Sequence, residues 1–151
     1  MKTLVPIFFA TNNNYAPFLS IALISMLENA SKDYFYKIHI LSASLDNDNK
    51  NLLKKCITSN SSIEFISLKD KLTRFQNMFH TRDYYSKSTY YRLFIPSMYP
   101  ELDKALYVDC DIALLDDVAK LFDVELGENY VGAIPDESVQ ITPAFQRYVE
   151  N

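Results

Sequence analysis

The 151 residues are 48% hydrophobic and 23% charged, a balance that suits one globular domain with a core large enough to bury. Lys and Arg number 15 against 19 Asp and Glu, a net charge of −4 without a basic cluster, which argues against nucleic acid as a partner. With only Gly127 and Gly132 in the chain, neither GxGxxG nor a Walker loop can be written, so nicotinamide binding of the usual sort and P-loop chemistry are excluded.

In chain order, "LVPIFFAT" (4–11) is an apolar run of strand length rather than a secretory signal, because Pro6 interrupts it and "NNNYAP" follows instead of a small-residue cleavage site. Pro17 suits the first turn of the next helix, "FLSIALISMLENA", which is apolar on most faces and expected to pack against a sheet. "FYKIHILSA" (35–43) reads as a second strand, with His39 as a core histidine. "DNDNKNLLKKCITSN" (46–60) reads as a helix with Leu52, Leu53, Cys56 and Ile57 on one face, and "SSIEFISL" (61–68) as a third strand. "KDKLTRFQNMF" and "SKSTYYRLFIPSMYP" are expected to be helical, with His80 in the loop between them. "KALYVD" (104–109) and "NYVGAIPD" (129–136) are expected as further strands, the last followed by a polar tail. No window approaches the roughly 18 uninterrupted apolar residues of a transmembrane segment. Cys56 and Cys110 make no CxxC pair and no disulfide framework, which fits a reducing, cytoplasmic setting.

Strands alternating with helices imply a Rossmann-like, mostly parallel sheet flanked by helices, an α/β fold. Ligands of such sheets sit at the carboxyl ends of strands, where Asn12 to Asn14, Asp109 and Asp136 fall. The stretch "KALYVDCDIALLDD" (104–117) carries the sharpest signal, because two carboxylates interrupt an apolar run and a desolvated charge needs a partner. On a strand, residues i and i+2 lie about 6 to 7 Å apart on one side, close enough to share one hard cation completed by substrate oxygens. On the Asp-x-Asp pattern alone, a metal clamp and a capped, solvated strand end are equally open.

Four segments in order, "FATNNNYAPFLSIALISMLENA", "STYYRLFIP", "KALYVDCDIALLDDV" and "YVGAIPD", resemble the bacterial members of glycosyltransferase family 8, which include lipopolysaccharide galactosyltransferase-like and glycogenin-like enzymes. The resemblance implies a GT-A fold and retaining, metal-dependent transfer of glucose or galactose from a UDP-sugar donor to a saccharide acceptor, as in building cell-surface polysaccharide. It implies that Asp109 and Asp111 bind Mn2+ (or Mg2+). It also places Thr11, Asn12, Asn14 and Tyr15 about the uridine, with Tyr15 stacked on the base and the Asn side chains at its edge. Cys110 then lies by the ribose, Arg92 at the diphosphate or sugar, and Asp136 at the sugar hydroxyls. Many members carry Asp at position 12 or 13, so the Asn-rich version departs from the common pattern. Without the resemblance, "NNN" reads as a turn before a helix and Tyr15 as a hydrophobic staple.

Members of the family continue beyond the region matched here and supply a later metal-binding His, a Lys and most of the acceptor pocket. The chain is therefore expected to be a single nucleotide-sugar-binding domain over 1–151, apparently truncated, with its catalytic residues beyond residue 151 and slow transfer on its own. Two rival readings are an aspartyl phosphatase of haloacid dehalogenase type, in which the first Asp of "DCDIA" is the nucleophile, and a nucleotide-binding module without turnover.

Overall fold

The structure, a computed structural model, describes residues 2–70 and 87–135. Its elements are β1 (Thr3–Ala10), α1 (Ala16–Glu28), β2 (Tyr34–Ser42), α2 (Asn47–Lys54), β3 (Ser61–Ser67), a 3-10 helix (Lys87–Phe94), α3 (Ile95–Met98), β4 (Leu106–Tyr107) and α4 (Ala119–Phe122). The four strands form one parallel sheet in the order β3-β2-β1-β4. The α/β architecture expected from the sequence is therefore present.

The run Val5 to Ala10 is continuously buried because β1 lies inside the sheet with both faces covered. Val5, Ile7 and Phe9 point to one side, where they meet Leu19, Leu23 and Met26 of α1 together with Tyr36, Ile38 and Ile40 of β2. Phe8 and Ala10 point to the other, against Leu41, Leu68 and Tyr91. Pro6 lacks a backbone donor, yet it stands one residue before the β4 pairing begins at Ile7, so at that level β1 has, among the described residues, a strand neighbour on its β2 side alone.

Several boundaries differ from those expected. Only one face of α1 is buried, with Leu19, Ala22, Leu23, Met26 and Leu27 recurring at helical spacing, while Phe18, Ile21 and Ile24 are exposed. The second helix ends at Lys54 rather than reaching 60, because Thr58, Asn60 and Ser61 satisfy one another in a turn leading into β3. The segment expected to be helical is so, as a 3-10 helix over Lys87–Phe94 continued by the single α-turn of α3, with Pro96 in its first turn. The expected strand 104–109 shrinks to Leu106–Tyr107, extended by one bond from the Val108 N–H to the Phe8 carbonyl at 3.0 Å. Residues 129–135 are not a strand: none of the described residues offers them a partner, and Tyr130, Val131 and Ile134 are exposed. The expected helix around 69–79 lies mostly, and His80 and Asp136 wholly, outside the described residues.

His39 is a core residue, 1% exposed, with its ring stacked on Phe8 at 4.5 Å between centroids. Its Nδ1 lies 3.3 Å from the Tyr99 hydroxyl and 3.3 Å from Glu64 Oε2. Burial holds its pKa below the ordinary histidine value, Lys37 acts in the same direction, and Glu64 opposes both. The unfolded chain takes up the proton near the ordinary value of about 6.5, whereas the native state resists it, so this contribution is complete above that value and is lost as pH falls below it. Urea midpoints measured at pH 7.5 and pH 5 should therefore drop for the wild type, and drop less for His39→Gln.

Candidate nucleotide-sugar site

The carboxyl ends of β1 and β4 open onto a cleft of about 310 Å³ lined by Ala10, Thr11, Tyr15, Ser88, Thr89, Arg92, Tyr107, Asp109, Cys110 and Asp111. Its volume falls at the small end of the range for small-molecule sites, roughly 300 to 1,000 Å³. Six side chains singled out from the sequence thus meet in one place: Thr11, Tyr15, Arg92, Asp109, Cys110 and Asp111.

Each arrives by a local rule. The 3-10 helix has three residues per turn, which stacks Arg92 directly over Thr89, and Arg92 Nε donates to the Thr89 carbonyl at 3.0 Å. The same period turns Tyr91 and Phe94 inward to the core shared with Phe8. The Arg92 guanidinium then lies over the Tyr107 ring, 4.2 Å from its centroid, and Nη2 donates to Asp109 Oδ1 at 3.3 Å. Burial pushes the Tyr107 phenol far above its usual range, so it remains a neutral platform. Among the described residues the ion-pair partner of Arg92 is thus Asp109.

Asp109 and Asp111 do not sit on the strand, as the spacing argument supposed. The strand ends at Tyr107, and Cys110 and Asp111 form a turn beyond it, from which both carboxylates still line the cleft. This turn is held from behind. The Leu114 N–H donates to Ser25 Oγ at 3.0 Å and the Leu114 carbonyl accepts from Asn29 Nδ2 at 3.1 Å, both on or next to α1. Asp117 accepts from the Tyr36 hydroxyl at 2.7 Å and from the Ser31 and Ala119 N–H groups at 3.2 and 2.9 Å. The half-buried Cys110 thiol is pushed up by burial and by the neighbouring Asp111 charge, so it stays protonated and acts as packing.

The asparagines behave differently from the expectation that they face a base. Asn12 Oδ1 accepts from the Asn14 and Tyr15 N–H groups at 2.9 and 3.1 Å, so it closes the turn that starts α1. Asn13 Oδ1 accepts from the Asp46 N–H at 3.0 Å and ties the turn to the start of α2. Neither Asn12 nor Asn14 lines the cleft. Tyr15 does, with its ring part exposed and tilted against Phe18. Ser88, Thr89 and Tyr107 were not singled out from the sequence, although "STYYRLFIP" and "KALYVD" contain them. For Thr89, its place three residues before Arg92 was the available signal.

The donor chemistry fits a hard divalent cation: two carboxylates one residue apart in sequence line one cleft, and the contact from Arg92 to Asp109 is long, at 3.3 Å. Among the described residues no group of three or more His, Cys, Asp or Glu side chains closes a metal site, so further ligands would come from substrate oxygens.

Residues 6–151 match the model of glycosyl transferase family 8. The chain belongs to this family. A protein of Haemophilus influenzae assigned as a glycosyltransferase is 27% identical over 135 residues, covering 89% of this chain and 40% of its own length. Among solved structures, the bifunctional glycosyltransferase WbbM superimposes with a TM-score of 0.79 at 30% identity, over 93% of this chain and 24% of its own. The galactosyltransferase LgtC, solved with donor and acceptor sugar analogues, gives 0.78 at 27% identity, over 97% and 52%. The parallel sheet with flanking helices is thus the GT-A fold of these transferases. The chain spans about two-fifths of the length of the Haemophilus influenzae relative and of a Bacillus subtilis relative, general stress protein A, which is 26% identical over 128 residues. The phosphatase reading finds no support among these matches, and Asp109 follows the fourth strand at the sheet edge rather than ending the first. No helix among the described residues is long and apolar enough to cross a membrane.

If the Asn12 side chain serves the turn, Asn12→Ala should lower stability by about 1 kcal/mol with no nucleotide present. Asn14→Ala, an exposed site, should change it by less than about 0.5 kcal/mol. Urea titration of the two variants distinguishes them, and equal losses would contradict the assignment.

Proposed function

We propose that residues 1–151 form the nucleotide-sugar-binding domain of a retaining hexosyltransferase that takes UDP-glucose or UDP-galactose as donor and serves a saccharide or glycoconjugate acceptor. The observation that carries this reading is the meeting of Asp109, Asp111, Arg92 and Tyr15 at one cleft on the carboxyl edge of a parallel sheet. Transferases of this family generally depend on a divalent metal.

Asp109 and Asp111 would hold the cation, Mn2+ or Mg2+, together with diphosphate oxygens. When bound, it neutralises the negative charge that grows on the departing nucleotide diphosphate. Arg92 offers a planar fork of N–H donors suited to phosphate oxygens, already oriented by Thr89 and Tyr107. The part-exposed Tyr15 ring offers a face for the uracil. Asn12 keeps its amide N–H donors for the base edge because only its oxygen is engaged in the turn. Thr11, next to it and buried, and Cys110 would border the ribose. Asp136 is proposed for the sugar hydroxyls on the family resemblance alone.

A ligand that binds only the native state raises stability by mass action. UDP should therefore raise the melting temperature more with Mn2+ than without it, and Asp109→Asn combined with Asp111→Asn should abolish the metal-dependent part. A melting shift unchanged in that double variant would overturn the metal assignment. Base choice is tested separately: with Mn2+ present, UDP should compete better than GDP or ADP against a labelled UDP-sugar, and Tyr15→Ala should weaken UDP by roughly tenfold, given about 1 to 3 kcal/mol for one stacked base. Equal competition by the three nucleotides would mean that only the diphosphate is recognised.

A further inference from the structure

Arg92 and Asp109 are oppositely charged groups that the proposed function assigns to different ligands, the diphosphate and the cation, yet in the structure they hold each other. The contact is single-pronged, Nη2 to Oδ1 at 3.3 Å, longer than the roughly 2.7 to 2.9 Å of a strong charge-assisted bond. Both side chains are well exposed, 40% for Arg92 and 58% for Asp109, and such a pair contributes little to stability. By contrast, Arg92 is oriented by its Nε bond to the Thr89 carbonyl and by its face on the Tyr107 ring, a half of the arrangement separate from the Nη2 contact to Asp109, although the Tyr107 hydroxyl also bonds Asp109. The guanidinium can release the carboxylate without losing its position.

We propose that Arg92 is an exchangeable counter-ion for Asp109, which discourages the carboxylate pair from taking a divalent cation until a nucleotide diphosphate arrives to accept the guanidinium. The inference rests on the reading of Asp109 and Asp111 as cation ligands. Its electrostatics are direct. With no diphosphate, a cation at Asp109 must displace Arg92 and then stand beside an uncompensated positive charge. A diphosphate without the cation faces two carboxylates. When both are present, Asp109 turns to the cation and Arg92 to phosphate oxygens, and every charge has a partner. Metal and nucleotide should therefore bind cooperatively, and linkage requires each to tighten the other by the same factor.

Two neutral variants test this, Arg92→Met and Arg92→Gln, each checked for native circular dichroism so that either one suffices. Calorimetry with Mn2+ alone should show tighter binding in the variants than in the wild type, by roughly threefold to tenfold, because a nearby positive charge has been removed in a solvent-exposed setting. UDP should bind more weakly in the variants, and the factor by which UDP tightens Mn2+ should shrink. Unchanged or weaker binding of Mn2+ alone in a folded variant would overturn the exchange. That result is distinct from failure of the site assignment, which would show as Mn2+-dependent UDP binding surviving in Asp109→Asn with Asp111→Asn.

Discussion

The parallel pairing of β4 with β1 through only Ile7 and Phe8 is the joint on which the site depends. It brings the chain beyond Tyr107 beside the turn that follows Ala10, so that side chains about a hundred residues apart share one cleft. So short a ladder could not position a loop unaided. It is reinforced by the Val108 to Phe8 bond and by the burial of Val108 in the core under α1. Inserting charge directly after a buried strand is tolerable because the strand ends first: the two carboxylates emerge from a turn at the surface rather than from the apolar ladder, and the desolvation cost that makes buried charges expensive is avoided.

Behind the cleft, the segment after Asp111 is gripped at several points by polar groups whose own positions are fixed by packing. Ser25 and Asn29 take both backbone groups of Leu114, the Tyr36 hydroxyl and the Ser31 N–H reach Asp117, and Tyr34 donates to Asp123 at 2.5 Å. Tyr36 is fully buried, so its hydroxyl had to find a partner, and Asp117 provides it while also accepting the Ala119 N–H at the start of α4. Burial and the Asp117 charge both push this phenol up, so the hydroxyl keeps its proton and the bond persists across the ordinary pH range. The result is a loop with little freedom on its core side and open side chains toward the cleft, the pre-organisation a binding site needs.

The cleft's front wall obeys a different economy. The 3-10 helix uses its three-residue period to give one row to the core, Tyr91 and Phe94, and another to the ligand side, Thr89 and Arg92. Arg92 is held by a carbonyl and an aromatic face, which fix its plane, while its link to a carboxylate stays weak. Rigid orientation combined with a labile charge partner makes this residue a candidate go-between for a cation and an anion that belong in the same place.

The sequence by itself determined the alternation of strands and helices, the buried character of β1, the core role of His39 and the place of Asn12 to Asn14 and Asp109 at the carboxyl ends of strands. These follow from local apolar periodicity, which records which residues leave water. The family too was readable, because four short segments kept their order. Only the tertiary structure decided that the Asn12 oxygen is used by the turn, that Asp109 and Asp111 lie past the strand, that Phe18, Ile21 and Ile24 of an all-round apolar helix stay exposed, and that residues 129–135 find no strand partner among the described residues. It also chose Asp109 as the partner of Arg92, 17 residues away. The reason is common to all of these: a side chain's partner depends on strand order, edge position and the direction of a single turn, and those are set by long-range packing that no local period encodes.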